Sequence, residues 1–222
     1  MSKVVLFGVG GGADTARRYL TLDSEHEVVA FTVDANRRDR SIHEGLPVVD
    51  FESVNEVYPP DTYKMFILLS FDGMNSLRIR KYEEAKAKGY SFVSYVASNL
   101  FHLEEMHVGQ NCLILESQTI NLDARIGDNV VMWSGNHIGD RSIVDNHVWI
   151  SSQVAVGGDV TIGQGSFIGM NATIGHGVSI GENNFIGAGT LVTKCTKNNQ
   201  VFVQPGTKAL VGITSQNFSR VI

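Results

Sequence analysis

The chain has 222 residues, 43% of them hydrophobic, with 23 acidic against 18 basic side chains, so it can bury a sizeable core and carries a modest negative charge. No Lys/Arg cluster exceeds the stretch Arg37-Arg38-Asp39-Arg40, which excludes a footprint for nucleic acid or an anionic membrane. The two cysteines, Cys112 and Cys195, make no disulfide framework, the amino terminus shows no signal-peptide core, and no run approaches the roughly 20 apolar residues of a spanning helix. A soluble cytoplasmic protein acting on small molecules, without membrane insertion, is expected.

In chain order, the apolar run Val4-Val5-Leu6-Phe7 leads into Gly8-Val9-Gly10-Gly11-Gly12-Ala13 and a polar helix to about Leu20, a β-turn-α unit. A second strand over 28–33 ends at Asp34, and a third over 65–70 runs into Asp72-Gly73-Met74-Asn75. A helix over 76–88 follows, with Asn75 or Ser76 as its cap and Gly89 as its left-handed terminator. A further strand is expected over 92–96. Strands separated by helices imply a small Rossmann-like parallel sheet, here assigned to residues 1–100. The first turn fits Gly-x-Gly-x-x-Ala in weak form, and some 100 residues supply one mononucleotide-sized half. Gly8, Gly10 and Gly11 are therefore read as letting a phosphate approach the backbone, and Asp34 as accepting hydrogen bonds from base or ribose.

From Val108 the period changes to six. The aliphatic positions are Val108, Ile114, Ile120, Ile126, Met132, Ile138, Val144, Ile150, Val156, Ile162, Ile168, Ile174, Ile180, Ile186 and Val192. Ordinary composition gives fifteen such positions in register a probability on the order of 10⁻⁹. Two positions earlier lies a second, smaller residue such as Ala124, Val148 or Ala172, so both point inward along a short strand. Hexapeptides of this kind stack three per coil, about 4.8 Å apart, into a parallel β-helix. Five coils over 101–222, with a carboxy-terminal tail, are expected.

The coils differ. Gly157, Gly163, Gly169, Gly175, Gly181 and Gly187 each follow an aliphatic residue, which suggests a smooth surface for a long flexible ligand. Earlier coils carry His137, Asp140, Arg141, His147 and Trp149 outward, while Gln118 and Asn136, eighteen residues apart, share an inward column with Val154. These amides either form a structural ladder or help to orient His137.

Both halves together resemble the sugar O- and N-acyltransferases of the sialic-acid O-acetyltransferase and bacillosamine N-acetyltransferase family. The resemblance rests on the Gly-rich first turn, Ser70-Phe71-Asp72-Gly73-Met74-Asn75-Ser76-Leu77-Arg78, Trp133-Ser134-Gly135-Asn136-His137-Ile138-Gly139, and Ile186-Gly187-Ala188-Gly189-Thr190-Leu191-Val192-Thr193-Lys194. It implies a left-handed β-helix, a homotrimer with acetyl-CoA between adjacent β-helices, no metal, and a nucleotide-linked sugar on the amino-terminal domain, serving surface-polysaccharide biosynthesis. By that likeness Asp72, Asn75 and Arg78 join the substrate site, with Trp149 either a substrate contact or an interface aromatic, while Gly157, Gly158, Gly169, Asn171 and Gly187 contact CoA and Lys194 and Lys208 either meet its phosphates or stand in solvent. The family's usual catalytic histidine falls on Asp140, its second active-site histidine on Trp149, and the histidine after its first glycines on Gly12.

Three mechanisms are open. His137 can take the proton from the attacking amine or hydroxyl, the preferred reading; Asp140 can act as base or fix a histidine tautomer; or an amino sugar binds neutral and the site only positions it. His147 is a second-choice base, and structural or exposed roles are expected for His147 and His176. Two other classes compete: a carbonic-anhydrase-like metal enzyme, disfavoured because His137, His147 and His176 occupy different phases of the hexapeptide, and a non-catalytic nucleotide-sugar-binding scaffold, suggested by Asp140.

Overall fold

The computed structural model describes residues 1–100, 106–211 and 214–216. The boundary expected between 100 and 101 abuts the segment 101–105, which lies outside the described residues. Strands β1 (Lys3–Phe7), β2 (Glu27–Val33), β3 (Ile42–His43), β4 (Leu46–Asp50) and β5 (Tyr63–Ile67) accompany helices α1 (Gly11–Leu22), α2 (Val54–Val57) and α3 (Ser76–Ala87). The sheet order is β3-β4-β2-β1-β5, parallel except for the edge strand β3, which runs antiparallel to β4. The sheet is therefore mixed and only approximately Rossmann-like. The β3–β4 hairpin turns through Glu44 and Gly45, both at positive φ (49° and 78°), as a two-residue turn requires.

The strand expected over 92–96 divides. Phe92 makes a single bridge to Met65, whereas Tyr95–Val96 leaves the sheet and pairs with Leu113–Ile114. Ser94 makes the transfer: its hydroxyl donates to the Gly109 carbonyl at 2.8 Å and accepts from the Cys112 amide at 2.9 Å. Helix α3 starts and stops close to expectation, with Gly89 at φ +93°. Asn75 occupies its N-cap position at φ +63°, but no side chain caps the helix there.

All fifteen expected hexapeptide strands are present, from His107–Val108 to Leu191–Val192. They stack into a left-handed parallel β-helix of three faces. The covered face is built from Tyr95–Val96, Leu113–Ile114, Val131–Met132, Trp149–Ile150, Phe167–Ile168, Phe185–Ile186 and Val201–Phe202. The histidine face comprises Thr119–Ile120, His137–Ile138, Ala155–Val156, Thr173–Ile174 and Leu191–Val192; the third runs from His107–Val108 to Ser179–Ile180. A two-residue strand has no stability of its own; here the aliphatic columns supply it, with Ile114, Ile138, Ile150, Ile162, Ile168 and Ile186 at 0% exposure. Full burial contributes roughly 1.5–3 kcal/mol per side chain of this kind.

The inward polar groups pair from coil to coil. The Asn136 amide donates to Gln118 Oε1 at 3.2 Å and the Val154 amide to Asn136 Oδ1 at 2.8 Å, while Gln118 Nε2 reaches the Leu115 and Trp133 carbonyls. Asn136 Nδ2 also donates to the Trp133 carbonyl. These amides are a structural ladder. The α/β domain caps the covered face: Leu6, Ala13, Leu20 and Phe66 pack with Leu113, Val131, Trp149 and Phe167 in one apolar cluster.

Candidate functional site

In an open α/β sheet, ligands bind beyond the carboxyl ends of the strands where the strand order reverses. Here β1 is followed on one side by β2 and on the other by β5, and a cavity of about 600 Å³ opens at that point. Gly8, Asp34, Leu69 and Ser76 line it, together with Arg37 and Arg80. Gly8 sits at φ +111° and its amide donates to the Thr32 carbonyl, which turns the chain into α1. Side chains added at Gly10 or Gly11 would meet nothing within 4 Å, whereas a Cβ at Gly12 would lie 3.0 Å from the Leu68 carbonyl oxygen.

Asp34 serves the fold as well as the cavity. One of its oxygens accepts from the buried Lys81 ammonium at 2.5 Å, and Lys81 also reaches Glu84 at 2.6 Å. Burial works against that ammonium, but the hydrogen bonds to Asp34 and Glu84 outweigh it and hold the Lys81 pKa above its ordinary value. Asp34 therefore has its second oxygen left for a ligand. Arg37, in the short turn after Asp34, and Arg80, one turn into α3, present two exposed guanidinium groups to the same cavity. Neither stands out in the sequence, because they arrive from elements 43 residues apart.

Four other residues expected around the substrate are not among those that line this cavity. Asp72 is exposed and accepts from Ser70 Oγ at 2.6 Å. Asn75 is fully buried, with its Nδ2 on the Gly165 carbonyl at 3.1 Å. Arg78 is 0% exposed; its guanidinium donates to the Asn129 carbonyl, to Asn129 Oδ1 at 2.9 Å and to the His147 carbonyl at 2.9 Å. Trp149 lies in the apolar interface, with Arg78 stacked 5.8 Å from its ring and Phe71 5.5 Å away. Arg78 and Asn75 thus fasten α3 to one edge of the prism, where Asn111, Asn129 and His147 form a hydrogen-bonded column. Burial, then the charge of Arg78, pushes the His147 pKa down to about 4, so its ring is neutral and structural at ordinary pH.

The remaining candidates separate onto different parts of the prism. His137 is exposed on the histidine face, with no hydrogen-bonding partner for its ring among the described residues. Asn136 points inward at 1% exposure and does not touch it. Asp140, Gly158, His176 and Lys194 each stand two residues past a strand of that face, so they follow one another along a single edge in successive coils. Gly169, Asn171 and Gly187 lie on the edge between the covered and histidine faces. One extended ligand on one edge does not touch both sets. The glycines also answer to a different demand: a Cβ at Gly157 would lie 2.7 Å from the His176 amide, and one at Gly169 2.6 Å from the Ala188 amide. Coil stacking, rather than ligand approach, requires glycine there, and Gly187 is crowded at 3.0 Å by Val203. Gly158 is less confined, with 3.3 Å to both the Asp140 carbonyl and His176 Nδ1. Lys208 is exposed in the tail.

His137, His147 and His176 stand on a face and two separate edges, and among the described residues no three His, Cys, Asp or Glu groups are placed to hold a metal. No helix of the described residues is long and apolar enough to cross a membrane.

An α/β domain with a crevice at the carboxyl ends of its strands, joined to a hexapeptide β-helix, defines the architecture. Residues 159–194 match the family model described as bacterial transferase hexapeptide (six repeats), so this segment consists of hexapeptide repeats of the transferase type. No curated protein sequence matches the chain. Among solved structures, a histidine-to-asparagine mutant of perosamine N-acetyltransferase from Caulobacter crescentus, in complex with CoA and GDP-perosamine, is similar at 24% identity and a TM-score of 0.80, covering 90% of this chain and 93% of that one. The acetyltransferase domain of PglB from Neisseria gonorrhoeae, in complex with acetyl coenzyme A, is similar at 17% identity and a TM-score of 0.76, covering 90% and 94%. PerB from Caulobacter crescentus, with CoA and GDP-perosamine, follows at 21% identity, a TM-score of 0.65 and coverage of 90% and 93%. The whole two-part architecture is shared with these proteins.

Proposed function

We propose that this protein transfers an acyl group, acetyl in the simplest case, from acyl-CoA to an amino or hydroxyl group of a nucleotide-linked sugar used in building a surface polysaccharide. The observation that carries this reading is the crevice at the ends of β1, β2 and β5, where Arg37 and Arg80 face the Gly8 turn and Asp34. Guanidinium pairs suit the oxygens of a diphosphate, and a carboxylate suits a ribose hydroxyl or a base N–H. The shared architecture adds support, because the similar perosamine enzyme was solved with CoA and a nucleotide sugar together.

The donor lies along the edge of Asp140, Gly158, His176 and Lys194, with the Lys194 ammonium on the CoA phosphates and the thioester by the side-chain-free Gly158. Asn171 meets CoA only if the donor bends around the histidine face. The Thr119, His137, Ala155, Thr173 and Leu191 column is exposed along its whole length, with Leu191 at 59%, and the third face exposes Ile143 at 39%. Two further copies of the chain cover these faces in a homotrimer, so that CoA binds between prisms. The amine or hydroxyl attacks the thioester carbonyl carbon, the tetrahedral adduct collapses with loss of the thiolate, and the acceptor's proton passes to a base on that edge. A co-crystal structure with CoA and a nucleotide-linked amino sugar tests this: the nucleotide belongs against Arg37 and Arg80 and the CoA sulfur beside Gly158. Nucleotide bound elsewhere, or CoA absent from that edge at saturating concentration, contradicts the reading.

A further inference from the structure

Resting on that reading, we infer that His176 is the general base of the transfer, held in its working tautomer by an Asp159 that Arg141 clamps in place, and that it does the task expected of a histidine at position 140. Asp140 and His176 belong to the same edge, two coils apart, with Gly158 between them. Because Gly158 has no side chain, the His176 ring leans back over it: Nδ1 lies 3.3 Å from the place a Cβ would occupy, and the Asp140 carbonyl lies 3.3 Å from the same place. The ring's other nitrogen, Nε2, faces Asp159 Oδ2 at 3.6 Å. Both Asp159 oxygens are gripped by Arg141, Nε to Oδ1 and Nη2 to Oδ2, each at 2.7 Å.

This is the arrangement of a base with its orienting carboxylate. The Arg141 fork fixes Asp159 in two directions, so its free lone pairs select the Nε2–H tautomer of His176. Nδ1 is then the basic nitrogen, and it faces the gap over Gly158 where a thioester comes within reach of the backbone. The 3.6 Å separation is longer than a hydrogen bond and shortens when the acceptor binds, as catalytic contacts often do. In the step itself the acceptor nitrogen or oxygen forms its bond to the carbonyl carbon and gives its proton to Nδ1. The C–S bond then breaks, and the departing thiolate receives that proton to become the CoA thiol. His137 has no comparable partner among the described residues, and the buried ring of His147 faces Asn129 on another edge. The charged groups around His176 are Asp159 and Arg141, with Asp140 and Lys194 along the same edge.

The test compares the wild-type protein with His176→Gln, Asp159→Asn, Gly158→Ala, His137→Ala and Asp140→Asn. The nitrogen NMR signals of His176 are recorded with and without CoA, and thiol release from acetyl-CoA is recorded against pH. The expected results are an Nε2–H tautomer for wild-type His176 that is lost in Asp159→Asn and perturbed by CoA. In His176→Gln, kcat falls about 100-fold or more, the acid limb of its pH profile disappears, and the KM for acetyl-CoA changes little. A Cβ at position 158 fills the gap, so Gly158→Ala lowers kcat with the histidine intact. The inference is overturned by an Nδ1–H tautomer, by an unaltered kcat and acid limb in His176→Gln, or by the loss falling instead on His137→Ala or Asp140→Asn. A wild-type protein that forms the Nε2–H tautomer and binds CoA yet acylates no acceptor overturns the base role together with the acyl-transfer reading. Activity that survives His176→Gln removes only the base assignment.

Discussion

Truncating Arg78 to alanine separates an interior role from a substrate-binding one. The guanidinium is wholly buried and has no carboxylate partner among the described residues; its charge is balanced by the Asn129 carbonyl, Asn129 Oδ1, the His147 carbonyl and the Trp149 ring. Burial lowers its pKa to about 9, so it stays protonated at neutral pH. Alanine leaves the Asn129 and His147 carbonyls without a donor, each a loss of about 1–3 kcal/mol, takes from Asn129 Oδ1 one of its two donors while Asn111 Nδ2 remains, and opens a cavity beside Trp149. Relief of the guanidinium's own desolvation offsets part of this, leaving a net destabilisation of roughly 3–5 kcal/mol. For a chain of this size that is a fall in Tm of roughly 10 °C, read by calorimetry or urea unfolding. Arg78→Lys keeps the charge but not the fork and recovers less than half of the loss. An Arg78→Ala protein with wild-type stability and weakened nucleotide binding would refute the interior assignment and return Arg78 to the substrate site.

Other outcomes follow from single contacts. His147 has a folded pKa near 4 against about 6.5 unfolded, so the unfolded chain takes up the extra proton in between. Stability is full above about pH 6.5 and declines toward pH 4 by up to about 3 kcal/mol. His147→Asn, which tolerates the left-handed backbone at φ +65°, flattens that slope in a pH series of Tm, and an unchanged slope rejects the assignment. Gly169→Ala forces a Cβ against the Ala188 amide at 2.6 Å and lowers stability by several kcal/mol. Gly11→Ala, with open space around it at the start of α1, raises stability by up to about 1 kcal/mol. The opposite ordering in urea titrations would contradict the stacking argument. Arg37→Ala and Arg80→Ala each weaken a nucleoside diphosphate about tenfold or more by calorimetry, one charge-assisted hydrogen bond apiece; equal affinity in both would place the nucleotide outside the crevice.

Fifteen strands of the prism were legible, since a six-residue period forces each aliphatic side chain inward, but Tyr95–Val96 and Val201–Phe202, which extend the covered face at its two ends, lie outside that register and were not. What the six-residue period conceals is the edge. Residues that share an edge recur every eighteen, so Gly157 and Gly169 look alike in the hexapeptide yet stand on different edges, and His176 belongs with Asp140 thirty-six residues earlier. The β3–β4 hairpin escaped because Pro47 interrupts its apolar run, although Glu44-Gly45 is an acceptable turn pair. Position alone does not show which polar side chains the two domains bury between them: Arg78 and Asn75 read as loop and helix-start polar groups, and only packing turns them inward. Arg37 and Arg80 converge through the ends of β2 and α3, a juxtaposition that no local spacing records.

The most direct test of the central claim is turnover. Purified protein is mixed with acetyl-CoA and a panel of nucleotide-linked amino and hydroxyl sugars, with thiol release followed by colour and the sugar by mass spectrometry and NMR. Stoichiometric release of CoA thiol is expected, with one acetyl group appearing on a nitrogen or oxygen of one sugar nucleotide, and it is abolished when that sugar is omitted. Tight binding of the nucleotide sugar and of CoA with no acetyl group transferred would contradict it and leave a binding protein in its place.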